Sequence, residues 1–327
     1  MKSQKMNLLV GLMIVTSLVA GCTQMSKPSI DASSQVIITT LPTATIVSSP
    51  SQSPTLRPMG TPTLVPTLPV DEVEKKFLEV LSSNGSCRLP CLWGITPGEE
   101  NYQEAQAILS PFTSISGTLA GFLPEGGVIS PNYTEDDLKL STIVDFNIET
   151  TTGNRIVSRV GFKARGFQGD DNFIYDSALF GERMRAYMLP TILSEHGIPA
   201  AVLISTDGGY ERGKNVPGFY VVLLYPEMGI MAAYTTYRQL DGGNVRGCLA
   251  NAHVEIHLAP SGQPDAFAET LAQTQWKNLW PDPQDSLNWK HVETATSLTL
   301  EEFYEVFRQP TEMCLETPLI LWPTPDN

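Results

Sequence analysis

Basic side chains are scarce in this sequence. The 327 residues hold 21 Lys and Arg against 35 Asp and Glu, a net charge of −14. Setting aside residues 1–70, with Lys2, Lys5, Lys27, Arg57 and Asp31, leaves 17 basic and 34 acidic groups. Nucleic-acid binders carry basic stripes, so this balance excludes a nucleic-acid partner. It also argues against a domain that lies flat on anionic lipid. Beyond the N-terminus no run approaches the roughly 20 apolar residues that a spanning helix needs. No Gly-x-Ser-x-Gly elbow, phosphate loop or dinucleotide fingerprint occurs in a strand-to-helix setting, and no cofactor is called for. The acidic pairs Asp136-Asp137, Asp170-Asp171 and Glu301-Glu302 are adjacent in sequence, which suits loops or exposed helix turns rather than converging catalytic carboxylates.

What is present at the N-terminus points to export. Lys2 and Lys5 precede a mostly apolar run from Leu8 to Val19, the length of a signal-peptide core. The run ends Leu18-Val19-Ala20-Gly21-Cys22, which resembles the lipobox of bacterial lipoproteins. That resemblance implies a signal peptide over 1–21, a mature chain starting at Cys22, and diacylglyceryl plus palmitate-type acylation there. Two or more acyl chains anchor durably where one holds marginally. Residues 22–70 are predicted to be a disordered tether. About half of the residues from Asp31 to Val70 are Ser, Thr or Pro, too few of them apolar to offset ordering entropy. Near polyproline geometry such a segment reaches on the order of 100–150 Å. The expected location is the cell envelope, lipid-anchored and facing the extracytoplasmic side.

Residues 71–327 are predicted to be an extracytoplasmic α+β region, long enough for one sizeable core or two modest ones. Asp71-Glu-Val-Glu74 has the form of a capping box, with Val73, Phe77, Leu78 and Leu81 at helical spacing behind it. Asn101-Tyr-Gln-Glu104 repeats the pattern ahead of Ala105, Ile108, Leu109 and Phe112. Leu140–Thr150 and Ile156–Phe162 alternate around a Thr-Thr-Gly-Asn turn, with Ile156, Val160 and Phe162 on one face, a hairpin signal. Asp176 opens a helix towards His196 that restarts at Pro190. Strands follow over Ala201–Thr206, Phe219–Tyr225, Ile230–Tyr237 and Ala252–Leu258. Thr299-Leu-Glu-Glu302 starts a last helix with Phe303, Val306 and Phe307 inward. Helices and antiparallel strands segregate, which favours helices packed on antiparallel sheet. The order suggests two diverged α-then-meander repeats, subdivided 71–175 and 176–327.

Three groups of residues are candidates for chemistry. In an oxidising compartment, Cys87, Cys91, Cys248 and Cys314 form an even set once Cys22 is acylated. Three pairings are open. A Cys87–Cys91 bridge would be worth about 2 kcal/mol and a Cys248–Cys314 bridge about 4 kcal/mol on the chain-entropy model. A thioredoxin pair is excluded by three intervening residues. That spacing is similar to extracytoplasmic copper-delivery proteins, which would need a distant His such as His196. Next, His253-Val-Glu-Ile-His257 places His253, Glu255 and His257 on one face of a strand, a set that suits a divalent metal such as Zn²⁺. Its bland counterpart is the solvated face of a half-buried strand. Finally, Trp276, Trp280 and Trp289 suit either a sugar platform or plugs for an irregular segment.

The string "CRLPCLWGITPG" followed by "YQEAQAIL" resembles a group of uncharacterised bacterial lipoproteins with a Pro/Thr-rich tether and a Pro-Cys-aromatic-Trp-Gly-Ile-Thr-Pro-Gly stretch. The resemblance continues through "ILSEHGIPAAVLIS", "VVLLYPEMGIM" and the region of Cys314. It implies a shared domain and no activity. A fainter similarity links the helix, Gly-x-Pro and strand order to modules of envelope-assembly lipoproteins and β-lactamase-inhibitor-like domains. The expected function is a surface-displayed, non-catalytic binding domain for an envelope or extracellular ligand. The alternatives are a metal-dependent extracytoplasmic enzyme using the His-x-Glu-x-His strand, or an envelope-assembly lipoprotein.

Overall fold

The computed structural model describes residues 69–322 apart from 116, 152, 170–171, 207, 212–213, 278, 281–287 and 311–313. The leader, Cys22 and nearly all of the tether lie outside the described residues, as do Asp170 and Asp171. The described residues pack as a single unit.

Two helices open the fold, α1 (Val70–Ser83) and α2 (Tyr102–Leu109). The first starts one residue before the expected cap. Pro69 occupies the N-cap with extended backbone, the first helical bond runs from Val73 N–H to Pro69 O, and Asp71 sits inside the first turn. There its charge still favours the positive end of the helix dipole. Asn101 caps α2 as expected: its Oδ1 accepts from Gln103 and Glu104 N–H at 2.9 and 3.1 Å, and Glu104 Oε2 accepts from Asn101 N–H at 2.9 Å.

Six strands follow: β1 (Leu119–Leu123), β2 (Gly126–Ser130), β3 (Asn132–Glu135), β4 (Leu138–Thr151), β5 (Asn154–Gln168) and β6 (Asn172–Phe173). Next come α3 (Ala178–Arg183), capped by Ser177 rather than Asp176, and α4 (Leu189–His196), with Pro190 in its first turn. The later elements are β7 (Ala201–Ser205), β8 (Gly208–Glu211), β9 (Lys214–Tyr225), β10 (Ile230–Asp241), β11 (Asn244–Cys248), β12 (His253–Leu258), α5 (Pro264–Ala272), β13 (Lys290–His291), α6 (Val292–Ala295), α7 (Leu300–Phe307) and β14 (Cys314–Pro318). The tight turn between β9 and β10 rests on Gly229, at φ 68° and too close to Ala259 O for any Cβ.

The sheet is antiparallel in the order β1-β2-β4-β5-β12-β10-β9-β7-β13, with β3, β6, β8, β11 and β14 paired off this path. Two meanders therefore meet at their last strands, β5 against β12. The fold is α+β, in one continuous sheet that crosses the 175/176 position. Eight of these strands, β1, β2, β3, β6, β8, β11, β13 and β14, have no counterpart among the six that alternation predicts: none is longer than five residues.

One sheet face carries the main core. Val144, Phe162, Ile256, Ala232, Leu223 and Val202 lie across it, beneath the buried faces of α1 to α4, α6 and α7. A bulge opposite Asn147/Ile148 sets the parity of β5: Val157 is buried before it, Val160 and Phe162 after it, and Ile156 falls off the core face. On α7, Phe303 and Phe307 stack inward with centroids 4.6 Å apart, while Val306, expected inward, is exposed. The reverse sheet face is covered over one half only. There Phe267 and Leu271 of α5, with Trp276, close on Leu203, Val222, Leu224 and Met231. The other half leaves Leu119 and Leu123 exposed at 74% and 58%.

Two disulfides staple the fold. Cys87 is bonded to Cys91, and Cys248 to Cys314, which are register partners on β11 and β14. The first closes around the buried Asn84 amide. Asn84 Nδ2 donates to Cys87 O at 2.9 Å and Cys91 O at 2.8 Å, and its Oδ1 accepts from Trp93 N–H at 3.1 Å. Trp93, held at φ 56°, donates its Nε1–H to the Tyr187 hydroxyl at 2.7 Å.

Candidate functional site

The open half of the reverse face gathers the charged side chains of β4, β5 and β12. Alternation dictates the set: Asp145 and Asn147 interleave with Val144 and Phe146, while Arg159, Gly161 and Lys163 interleave with Val160 and Phe162. Register then brings them side by side, with Asn147 opposite Arg159, Asp145 opposite Gly161, Gly161 opposite His257 and Lys163 opposite Glu255. A Cβ at Gly161 would collide with the Asp145 carboxylate. Its absence lets that carboxylate lie across β5 and accept from Arg159 Nη2 at 2.9 Å.

Glu255 is the best-satisfied polar group of this face. Its Oε1 faces His257 Nε2 at 2.8 Å and accepts from Trp276 Nε1–H at 3.0 Å. Its Oε2 meets Lys163 Nζ at 2.8 Å and accepts from Gln275 Nε2 at 3.0 Å. Burial alone would raise this carboxyl, but the bonds and charges from His257 and Lys163 outweigh it and hold the group at about 2. His253 points away from this network to the end of the sheet. Its Nε2 lies 2.9 Å from Ile174 O and 3.2 Å from Gly166 N, with Tyr175 packed on the ring at a centroid distance of 4.3 Å. Burial drives its imidazole down to about 3, with Arg165 adding to the effect, so it stays neutral.

Thus His253, Glu255 and His257 share a strand face but do not converge on one point. Among the described residues no group of three His, Cys, Asp or Glu is placed to hold a metal ion. The strand is not solvated either, since both histidines are buried, β12 lying between β5 and β10 with Trp276 over it. His196 is packed against Tyr225, and burial together with the Arg88 charge lowers it to about 4; its supposed partners Cys87 and Cys91 are bonded to each other. Trp276 is 5% exposed and packs against Trp289, while Trp280 packs on Phe267, so all three act as plugs of the second core.

Beside the Glu255 network runs a groove of about 610 Å³ between α5 and the β4–β5 hairpin. Asn147, Glu149, Ser158 and Arg159 line the sheet side. Gln263, Ala266, Glu269 and Gln273 line the helix side. Asn147 Nδ2 donates to Gln273 Oε1 at 3.3 Å across it. Arg159 Nε is buried without a hydrogen-bond partner. A shallower hollow of about 210 Å³, floored by Gly121, Gly126 and Val128, continues it and shares Glu125 and Asn147. The polar alternation of 143–147 and 159–163 is a sequence signal for this face, but the register that assembles it, and the return of α5, are not written in any local pattern. Comparison with protein-family models, curated proteins and solved structures returns no match for this chain.

Proposed function

We propose that this chain is a lipid-anchored, extracytoplasmic binding protein whose ligand seat is the groove between α5 and the β4–β5 hairpin. Cys22 carries the lipid and residues 22–70 give the domain reach from the membrane. In this reading it shares its domain with the tethered lipoproteins that bear the Pro-Cys-aromatic-Trp-Gly-Ile-Thr-Pro-Gly stretch. The observation that carries the binding role is the groove itself. Its size falls in the range of ligand pockets, and Glu149, Glu269 and Gln263 at its rim are solvent-exposed. The non-catalytic reading is supported by the use of the candidate catalytic groups elsewhere: Glu255 takes four donors and His253 is held by backbone.

Metabolic labelling with an alkynyl palmitate, followed by protease treatment of intact cells, tests the anchoring. The wild-type chain should be labelled, and Cys22→Ala should abolish the label. Retained label in Cys22→Ala would refute the anchor. For the seat, Ala266→Trp fills the groove and should abolish ligand binding at unchanged thermal stability.

A further inference from the structure

Resting on the reading of the groove as a ligand seat, we propose that its ligand is a short peptide in extended form that alternates basic and apolar side chains. Three features must be met by one molecule. Glu125, Glu149 and Glu269 line the groove, and its one guanidinium, Arg159, is neutralised by Asp145 at 2.9 Å, so the seat favours a cation. Buried Arg159 Nε–H has no acceptor, so the ligand must also present a carbonyl or hydroxyl oxygen. The contiguous hollow is bounded by Glu125, Asp145 and Asn147, but its floor over Gly121, Gly126 and Val128, with Leu123 at its edge, is small and apolar, so the ligand must carry an apolar group a short distance from its charge.

A polyamine supplies the cation but neither an acceptor nor a branched apolar group. An aminated sugar supplies cation and acceptors, yet among the described residues no aromatic ring lines the groove for its apolar face, and Phe146 of the adjoining hollow and Trp276, whose N–H is on Glu255, are both buried. A basic–apolar peptide supplies all three. Its ammonium groups meet the glutamates, a main-chain carbonyl meets Arg159, the amides of Gln263 and Gln273 read its backbone, and alternate side chains rest on the glycine floor. Extended peptides present successive side chains in opposite directions, so a single strand can satisfy both hollows.

The test is calorimetric titration of the full chain with an acetylated, amidated Leu-Lys-Leu-Lys-Leu pentapeptide, its Leu-Gln-Leu-Gln-Leu counterpart, spermine, and a glucosamine hexamer. The Lys peptide should bind most tightly, and the Glu149→Gln/Glu269→Gln double variant should weaken it about tenfold. The Glu72→Gln/Glu79→Gln variant, which removes the same charge on α1 at the opposite sheet face, should leave it unchanged. Ala266→Trp and the surface change Gln263→Arg should each abolish it. If the Gln peptide, spermine or the sugar binds equally well and is lost on Ala266→Trp, the seat stands and the ligand class is wrong. If the Lys peptide binds regardless of Ala266→Trp and Gln263→Arg, the seat is wrong. Absence of binding by every probe at millimolar concentration overturns the proposal.

Discussion

Asn84 shows how much a single polar side chain can organise. It is buried, it ends α1 in the left-handed conformation, and its amide ties both carbonyls of the cysteine loop to the Trp93 N–H. Asn84→Ala leaves those groups buried without partners, at about 1–3 kcal/mol for each unsatisfied group. A drop of about 3 kcal/mol is therefore expected in urea unfolding, with loss of the near-ultraviolet signal of Trp93. Nothing local in Ser-Asn-Gly-Ser singles this residue out. His253 carries the clearest pH dependence. Its folded value, about 3, lies below its unfolded one of 6.5, so the unfolded chain takes the proton first. The stability it contributes is whole above pH 6.5 and is lost as pH falls towards 3. Melting temperature should decline across that window, and His253→Gln should flatten the decline between pH 6.5 and 4.5. An equal slope in the variant would refute this assignment. His196, lowered to about 4, adds a loss over the upper part of the same window, and Glu255, with its folded value near 2, adds a further one only below about pH 4.5.

At the scale of elements, the caps at Asn101 and Thr299 were legible because a capping box is a contact between residues three apart. The β4–β5 bulge was not. It is visible only as a change of parity between the buried Val157 and Val160, and it decides which residues enter the core. Deleting Ser158 would remove the extra residue and leave Ile148–Val157 and Asn147–Arg159 as successive pairs of a regular ladder, every side chain keeping its face. That variant should stay soluble with an unchanged circular dichroism spectrum. The two staples differ in the same local-versus-distant way. Cys87–Cys91 closes a loop of five residues within one turn of chain, while Cys248–Cys314 holds β11 to β14 across a separation of 66. Loss of the second by a double Ala substitution should cost about 4 kcal/mol against about 2 kcal/mol for the first. Comparable losses would show that native packing, not loop entropy, sets their worth.

At the scale of the whole molecule, segregated helices and strands make the α+β class legible in the sequence. What the sequence did not carry is the way they join. The pairing of β5 with β12 depends on contacts about ninety residues apart, and it places Lys163 beside Glu255 and Arg159 beside the return of α5. His253 and Glu255, drawn together as a candidate metal set, are tied to different partners, Ile174 and Gly166 for the one and Lys163, Trp276, Gln275 and His257 for the other, while the groove lies on the neighbouring strands β4 and β5. The central claim is that this groove seats the ligand, and hydrogen–deuterium exchange of the full chain with and without the Leu-Lys-Leu-Lys-Leu peptide tests it most directly. Protection confined to residues 121–128, 145–149, 156–159 and 263–273 is the predicted result; protection elsewhere, or none in these segments at saturating peptide, would contradict it.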